Sequence, residues 1–464
     1  MLTRRLLVLL LLVSSGPIHA RDRDDNQHRW AASWATSPGT FFTYVAPPPP
    51  FTLGPPIQYA VANVQPDLAF PFPNATTTGA TAIDQTFRSI VKPDLWGRTS
   101  RIRFSNVFGT KPVTFRSVTV GLQEYAANVV KGTLTAVTFG GSRSVTIQPG
   151  QRAWSDPIRL SWVNGADDLA VQGRNLAISY AVQGDSGPMT YHLGANQTSF
   201  ITAQQSGDHT WDEDAFSFEF TTTSWFFVET VDVEARPDTV VICAFGDSIT
   251  DGTHTTLNIN DRWMNALSRM LHNAYGDRVS IVNEAIGGNR VVNPVTPNAA
   301  SGPAAVDRLD RDVLGLSGLT DVIWLEGIND LGGGHTTDAV IAGYKDVVNR
   351  LHAAGVKVYA GTLTSALGVS GGPFPTADNG PVVDAGRQVL NGFIRQSGLF
   401  DGVEEFDLAT LDPATGNVKA AYLPNSQFTQ LPLDYLHPNH AGYNAMGEVV
   451  DIGPFAPQHG HGGH

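Results

Sequence analysis

The 464-residue chain has a single cysteine, Cys243. One thiol closes no disulfide within the chain. Its place in the apolar run Val240–Phe245 reads as a small buried side chain rather than a reactive one. Basic residues are scarce: 30 Lys and Arg stand against 43 Asp and Glu, for a net charge of −13. A surface of that sign repels phosphate backbones and anionic lipid, which argues against nucleic acid as a partner. Near the N terminus the longest apolar run is Leu6–Val13. It falls well short of the roughly 20 residues a membrane-crossing helix needs, so no stable membrane insertion is expected. Arg4 and Arg5 precede that run, and Ser14, Ser15, Gly16 and Ala20 follow it. That is the pattern of a signal peptide over residues 1–20, and it predicts a secreted or periplasmic protein.

The length suggests two domains. Residues 21–84 form an N-terminal segment in which Trp30–Trp34 reads as a short strand that returns to pack on the sheet of the C-terminal half. Residues 37–80 are rich in Pro, Phe and Thr, including Pro47–Pro50, and read as an irregular insert. Between 85 and 236, apolar and polar residues alternate over 100–105, 113–120, 132–139, 176–182 and 216–228. That period predicts a half-buried antiparallel domain, an all-β sandwich or jelly roll. Its tryptophans (Trp96, Trp154, Trp162, Trp211, Trp225) read first as core, with a sugar platform as the alternative. Asn74 and Asn196 head glycosylation sequons, which matter only in a glycosylating host.

From 237 to 453 strands and helices alternate. Strands are expected at Val279–Ile286, Asp321–Glu326, Lys357–Leu363 and Val403–Leu408. Helices are expected over 263–274, 306–313, 340–351, 384–397 and 440–450. Repeated βα units build a parallel sheet with helices on both faces, and such sheets carry their sites at the carboxyl ends of strands. Residues 454–464 form a flexible Gly/His tail.

Ser248 falls just past the first strand of this half. Its hydroxyl is inert until a base removes the proton. Asp434 precedes His437 by three residues, which supplies a base and a group to orient it. The expected catalytic residues are therefore Ser248, His437 and Asp434. The oxyanion donors are the N–H groups of Ser248 and Gly288 and the side-chain amide of Asn329. Gly at 288 lets a substrate oxygen approach the backbone closely.

The four blocks Gly246–Ile249, Asn283–Asn289, Gly327–Asp330 and Asp434–His437 together resemble the GDSL or SGNH hydrolases over roughly residues 238–450. Asn283–Arg290, Leu325–Gly327 and His437–Tyr443 are similar to a subfamily of secreted acyl esterases from polysaccharide-degrading bacteria. The resemblance implies a flavodoxin-like three-layer α/β fold and a serine esterase that needs no cofactor or metal ion. It also implies short-chain, acetyl-type esters of carbohydrates or aryl alcohols as substrates. Two alternatives remain at this point. One is a lysophospholipase or thioesterase with a longer acyl pocket, and the other is a carbohydrate-binding protein using the β domain.

Several patterns compete with these assignments. Gly184–Pro188 looks like a protease serine signature, but only His28 precedes it in the mature chain, and it reads as a turn. Gly368–Gly372 matches the G-x-S-x-G elbow, yet Pro-rich sequence follows where the elbow needs a helix. His440 competes with His437 as base. His459, His461 and His464 sit in the tail, where a disordered end outweighs metal binding.

Overall fold

The computed structural model describes residues 28–40, 81–294, 301–369, 379–424 and 434–458. The signal peptide, most of the Pro-rich segment, the Asn74 sequon, most of the Gly368–Gly372 motif and the histidines of the tail lie outside the described residues.

The C-terminal half opens with β1 (Val240–Gly246), α1 (Ser248–Asp251), α2 (Trp263–Tyr275) and β2 (Val279–Ala285). Then come α3 (Ala305–Arg308), β3 (Leu319–Leu325), α4 (Ile328–Gly332), α5 (Thr337–Ala353) and β4 (Lys357–Gly361). It closes with α6 (Asn379–Gln396), β5 (Gly402–Glu404), α7 (Phe406–Thr410) and α8 (His440–Glu448). All strand pairs in this sheet are parallel, in the order β2-β1-β3-β4-β5. That is the doubly wound, flavodoxin-like order, with its switch point between β1 and β3. Right-handed crossovers that run first one way and then the other put helices on both faces. Accordingly α2 packs with α8, while α5 packs with α3 and α6. With both faces covered, the centre of β1 (Val241, Ile242, Cys243, Ala244 and Phe245) is fully buried, which is why it reads as an unbroken apolar run.

The N-terminal half is rich in antiparallel strands. Thr99–Ser105 and Val228–Ala235 belong to one sheet; Thr86–Val91, Val113–Leu122 and Leu176–Gln183 belong to another. Their facing side chains share one core, where Phe104 of the first sheet meets Phe115 and Tyr180 of the second at 5.1 and 5.4 Å between ring centroids. Trp96 and Trp225 are buried, whereas Trp211 is 47% exposed.

Several expected elements differ. The strand expected over 132–139 shrinks to Thr135–Ala136, because Gly132 turns the chain at φ +78° and Thr133 Oγ1 ties the turn to Leu122 N. The run over 216–228 breaks into Phe220–Thr222 and Trp225–Phe226 before the long Val228–Ala235 strand. The break falls at Phe227, buried with φ +59°. Val403–Leu408 is a strand only to Glu404. Phe406 then starts α7 and is buried against Trp263 at 5.0 Å. Gly184–Pro188 is not a simple turn: Asp185–Pro188 pairs with Thr81–Ile83, and Ser186 Oγ accepts from Ala82 N. Packing also continues past 453, since Phe455 is fully buried against Tyr359.

The strand at Arg29–Ala35 joins the two halves. It pairs with Val228–Ala235 in the antiparallel sheet. Ala31, Ala32 and Ala35 nonetheless lie in the core of the α/β half, while Trp34 lies in the β core. Ala32 N donates to Ser317 O, and Ser280 Oγ donates to Ala32 O.

Candidate active site

The carboxyl end of β1 places Ser248. A Cβ at Gly246 would stand 2.3 Å from Leu325 O, so only glycine fits the strand end. Asp247 then caps α1, accepting from Ile249 N at 3.0 Å. Ser248 follows as the first residue of α1, with its hydroxyl aimed at the C-terminal loop.

That loop explains the Asp-x-x-His spacing. Asp434 Oδ1 accepts from Leu436 N and His437 N at 2.9 and 3.0 Å, closing a tight turn. Its other oxygen, Oδ2, meets His437 Nδ1 at 2.7 Å. His437 Nε2 then lies 2.7 Å from Ser248 Oγ. One carboxylate thus shapes the turn and fixes the ring, which leaves Nε2 free to take the serine proton. Burial works to lower the His437 imidazole, but Asp434 overrides it and holds the ring above its ordinary value. Burial likewise opposes ionisation of Asp434, yet His437 and His254 keep its carboxyl far below the usual carboxylate range.

His254 was not foreseen from the sequence. Its Nε2 reaches Asp434 Oδ2 at 2.8 Å, from a residue in the left-handed region at φ +66°. Tyr443 of α8 holds the same loop, its hydroxyl donating to Thr253 O at 2.7 Å. The stretch around His254 is polar and aperiodic, and 180 residues separate it from Asp434; no local pattern marks it. His254, Asp434 and His437 also form a group whose donor atoms lie within 4.8 Å of one another, here satisfied by their mutual hydrogen bonds.

The loop after β2 supplies the next part. Ile286 N donates to Gly246 O, Gly287 N to Asp251 Oδ2, and Asn289 N to Ile286 O. Gly288 N–H and Ser248 N–H have no hydrogen-bond partner among the described residues. Gly288 sits at φ +75°, and a Cβ there would lie 2.8 Å from Ser301 Oγ; both facts demand glycine. Asn329, at the start of α4, donates from Nδ2 to Asn289 O at 3.0 Å and to Asp247 Oδ2 at a long 3.4 Å. Its second N–H is therefore loosely held and can be given to another acceptor.

Buried carboxyls back these loops. Burial pushes Asp247 up to about 7, Asp330 to about 6 and Glu326 to about 8. Asp330 ties Val291 N and Val292 N to the start of α4, and Glu326 accepts from Trp324 Nε1. All five residues singled out in the sequence (Ser248, Gly288, Asn329, Asp434 and His437) thus gather at the carboxyl ends of β1, β2 and β3 and the loop before α8. His440 is exposed on α8, outside the hydrogen-bonded chain.

Residues 244–445 match the GDSL-like Lipase/Acylhydrolase family. The C-terminal half thus carries a GDSL-like lipase/acylhydrolase domain, which makes it a hydrolase domain. Solved structures that resemble this one include three esterases or lipolytic proteins. A member of the lipolytic protein G-D-S-L family from Veillonella parvula is 17% identical, with 46% of this chain and 96% of that one covered, at a TM-score of 0.34. A variant of an acetyl xylan esterase from Geobacillus stearothermophilus is 16% identical, covering 46% and 92%, at 0.34. A carbohydrate acetylesterase from Sinorhizobium meliloti is 18% identical, covering 45% and 94%, at 0.32. No curated protein matches the chain. Among the described residues no helix is long and apolar enough to cross a membrane.

Proposed function

We propose that the protein is a serine esterase removing short acyl groups, acetyl foremost, from carbohydrate or aryl esters. The observation that carries this reading is the unbroken chain from Ser248 Oγ through His437 to Asp434, 2.7 Å at each link.

In the mechanism, neutral His437 takes the Ser248 proton as Oγ attacks the ester carbonyl. Negative charge gathers on the former carbonyl oxygen, where Ser248 N–H, Gly288 N–H and the Asn329 amide receive it. Asp434 balances the imidazolium and holds its tautomer. The intermediate collapses, His437 returns the proton to the leaving alcohol, and an acyl-enzyme remains. His437 next deprotonates a water that attacks the acyl carbon, and a second collapse frees the acid and restores Ser248.

The preference for a short acyl group rests on the likeness of Asn283–Arg290 and His437–Tyr443 to secreted acyl esterases. We read the N-terminal half as a β-sandwich domain, and residues 1–20 as a signal peptide that sends the protein to the periplasm or the medium. The test is hydrolysis of p-nitrophenyl acetate, butyrate and octanoate and of acetylated xylan, wild type beside Ser248→Ala. Serine-dependent acetate and xylan deacetylation is expected. A preference for octanoate would replace the substrate class with long-chain esters, and a lack of any serine-dependent hydrolysis would overturn the esterase itself.

A further inference from the structure

We propose that His192, supplied by the antiparallel half, is a positioning residue for ester hydrolysis. It acts through Asp251 on the Gly287–Gly288 segment, so the N-terminal half completes the oxyanion site. This inference rests on the esterase reading above.

Asp251 is buried at the end of α1, three residues beyond Ser248. Its two carboxylate oxygens do separate things. Oδ2 accepts from Gly287 N at 3.0 Å, and Oδ1 meets His192 Nε2 at 3.1 Å. Among the described residues no Lys or Arg side chain forms an ion pair with it; the side chain that meets its Oδ1 is His192. Arg262 comes close, but its Nε donates to the Asp251 backbone O and its Nη2 to Ala195 O.

His192 is itself fixed from three sides. Its ring is buried, stacks on Trp225 at 5.6 Å and 29°, and has Nδ1 3.0 Å from Ser37 O. Both ring nitrogens therefore face oxygen atoms, which holds the ring in one orientation. The fit is close: a Cβ on Gly194 would stand 2.8 Å from Asp251 Oδ2.

The target of this chain is the loop that holds Gly288. With the N–H groups of residues 286, 287 and 289 all bonded, the one N–H of that turn left to a substrate oxygen is at Gly288. The Gly287 bond is the one whose acceptor depends on the other half of the protein. A second tie from that half reaches the loop's flanks. Ser37 Oγ donates to Glu284 Oε2 and accepts from Arg308, whose Nε holds Asn289 Oδ1 at 2.8 Å. A donor aimed at the developing oxyanion is worth most when it need not reorganise, so loosening its support lowers turnover more than substrate binding.

The experiment uses the full chain and p-nitrophenyl acetate, with active sites titrated by a fluorophosphonate so that kcat counts reactive serines only. His192→Ala is expected to lower kcat roughly 10- to 100-fold with KM changed by less than about twofold. His192→Gln, which keeps a donor toward Asp251, is expected to recover part of that loss and serves if the alanine variant fails to fold. In an Asn329→Ala background, the effect of His192→Ala is expected to shrink, because both changes weaken one oxyanion site. Unchanged kcat per titrated site, equal losses in the Gln and Ala variants, or independent multiplying effects with Asn329→Ala would each overturn the proposal. A wild type whose hydrolysis survives Ser248→Ala would instead overturn the esterase reading on which it rests.

Discussion

His254 and His437 share one acceptor: both imidazoles reach Asp434 Oδ2, at 2.8 and 2.7 Å, with ring planes 72° apart. Asp434 is thereby held by two side chains and by two backbone N–H groups. A carboxylate that must keep the base in one tautomer gains from having no second rotamer to visit.

Removing His254 leaves the Ser248–His437–Asp434 chain intact but frees one side of the acid. His254→Ala is expected to lower kcat about tenfold, the scale of one hydrogen bond to a charged group, with KM little changed. His254→Gln keeps a donor and should retain more of the rate. Steady-state kinetics on p-nitrophenyl acetate checks this; an Ala variant at wild-type kcat would make His254 a bystander.

With His437 as the proposed base, its state sets the acid limb of activity. Only the neutral ring accepts the serine proton, so kcat/KM rises with pH as the ring loses its charge. Asp434 holds that ring above its ordinary value, so the limb is expected above about pH 6.5. In Asp434→Asn the main raising charge is gone and burial is opposed only by Asp247, so the limb should move to lower pH while kcat falls on the order of 10⁴-fold. A pH profile of kcat/KM for both proteins decides it, and a limb unmoved by the substitution would contradict the assignment.

Stability should depend on pH at a second joint between the two halves. Asp94, from the antiparallel half, accepts from His272 Nε2, Ser268 Oγ and Ile281 N. Burial alone would lower the His272 imidazole, but Asp94 and the Gly276 carbonyl lift it to about 9. A group raised on folding stabilises fully below its unfolded value and loses that contribution as pH climbs through the folded one. The native state should therefore lose on the order of 2 kcal/mol between about pH 6.5 and 9, after allowing for partial exposure. Urea unfolding at the two pH values, wild type against His272→Gln, measures it; equal pH dependence in both would exclude His272 as the cause.

Much of the site was legible because its parts are short and local. Asp434 and His437 stand in one turn, Ser248 follows a buried strand, and Gly288 and Asn329 lie at the ends of β2 and β3, where a doubly wound sheet puts its site. What escaped was long-range. His254 meets Asp434 across 180 residues and His192 meets Asp251 across 59, and neither sits in a periodic stretch. In the β-rich half, alternation marked the strands Thr99–Ser105, Val113–Leu122 and Leu176–Gln183. It did not show where Gly132 and Phe227 turn the chain at positive φ. Leu408 kept the alternation of a strand going, yet it is 59% exposed on α7. Apolar period alone does not separate a short strand from a helical turn.

The central claim is that Ser248 is the nucleophile, and the direct measurement is turnover of p-nitrophenyl acetate by wild type and Ser248→Ala under identical conditions. The account predicts a loss of about 10⁴- to 10⁶-fold in kcat, with an unchanged unfolding midpoint and an acyl group trapped on Ser248 in the wild type by rapid acid quench. A folded Ser248→Ala protein that hydrolyses the ester at the wild-type rate would contradict it.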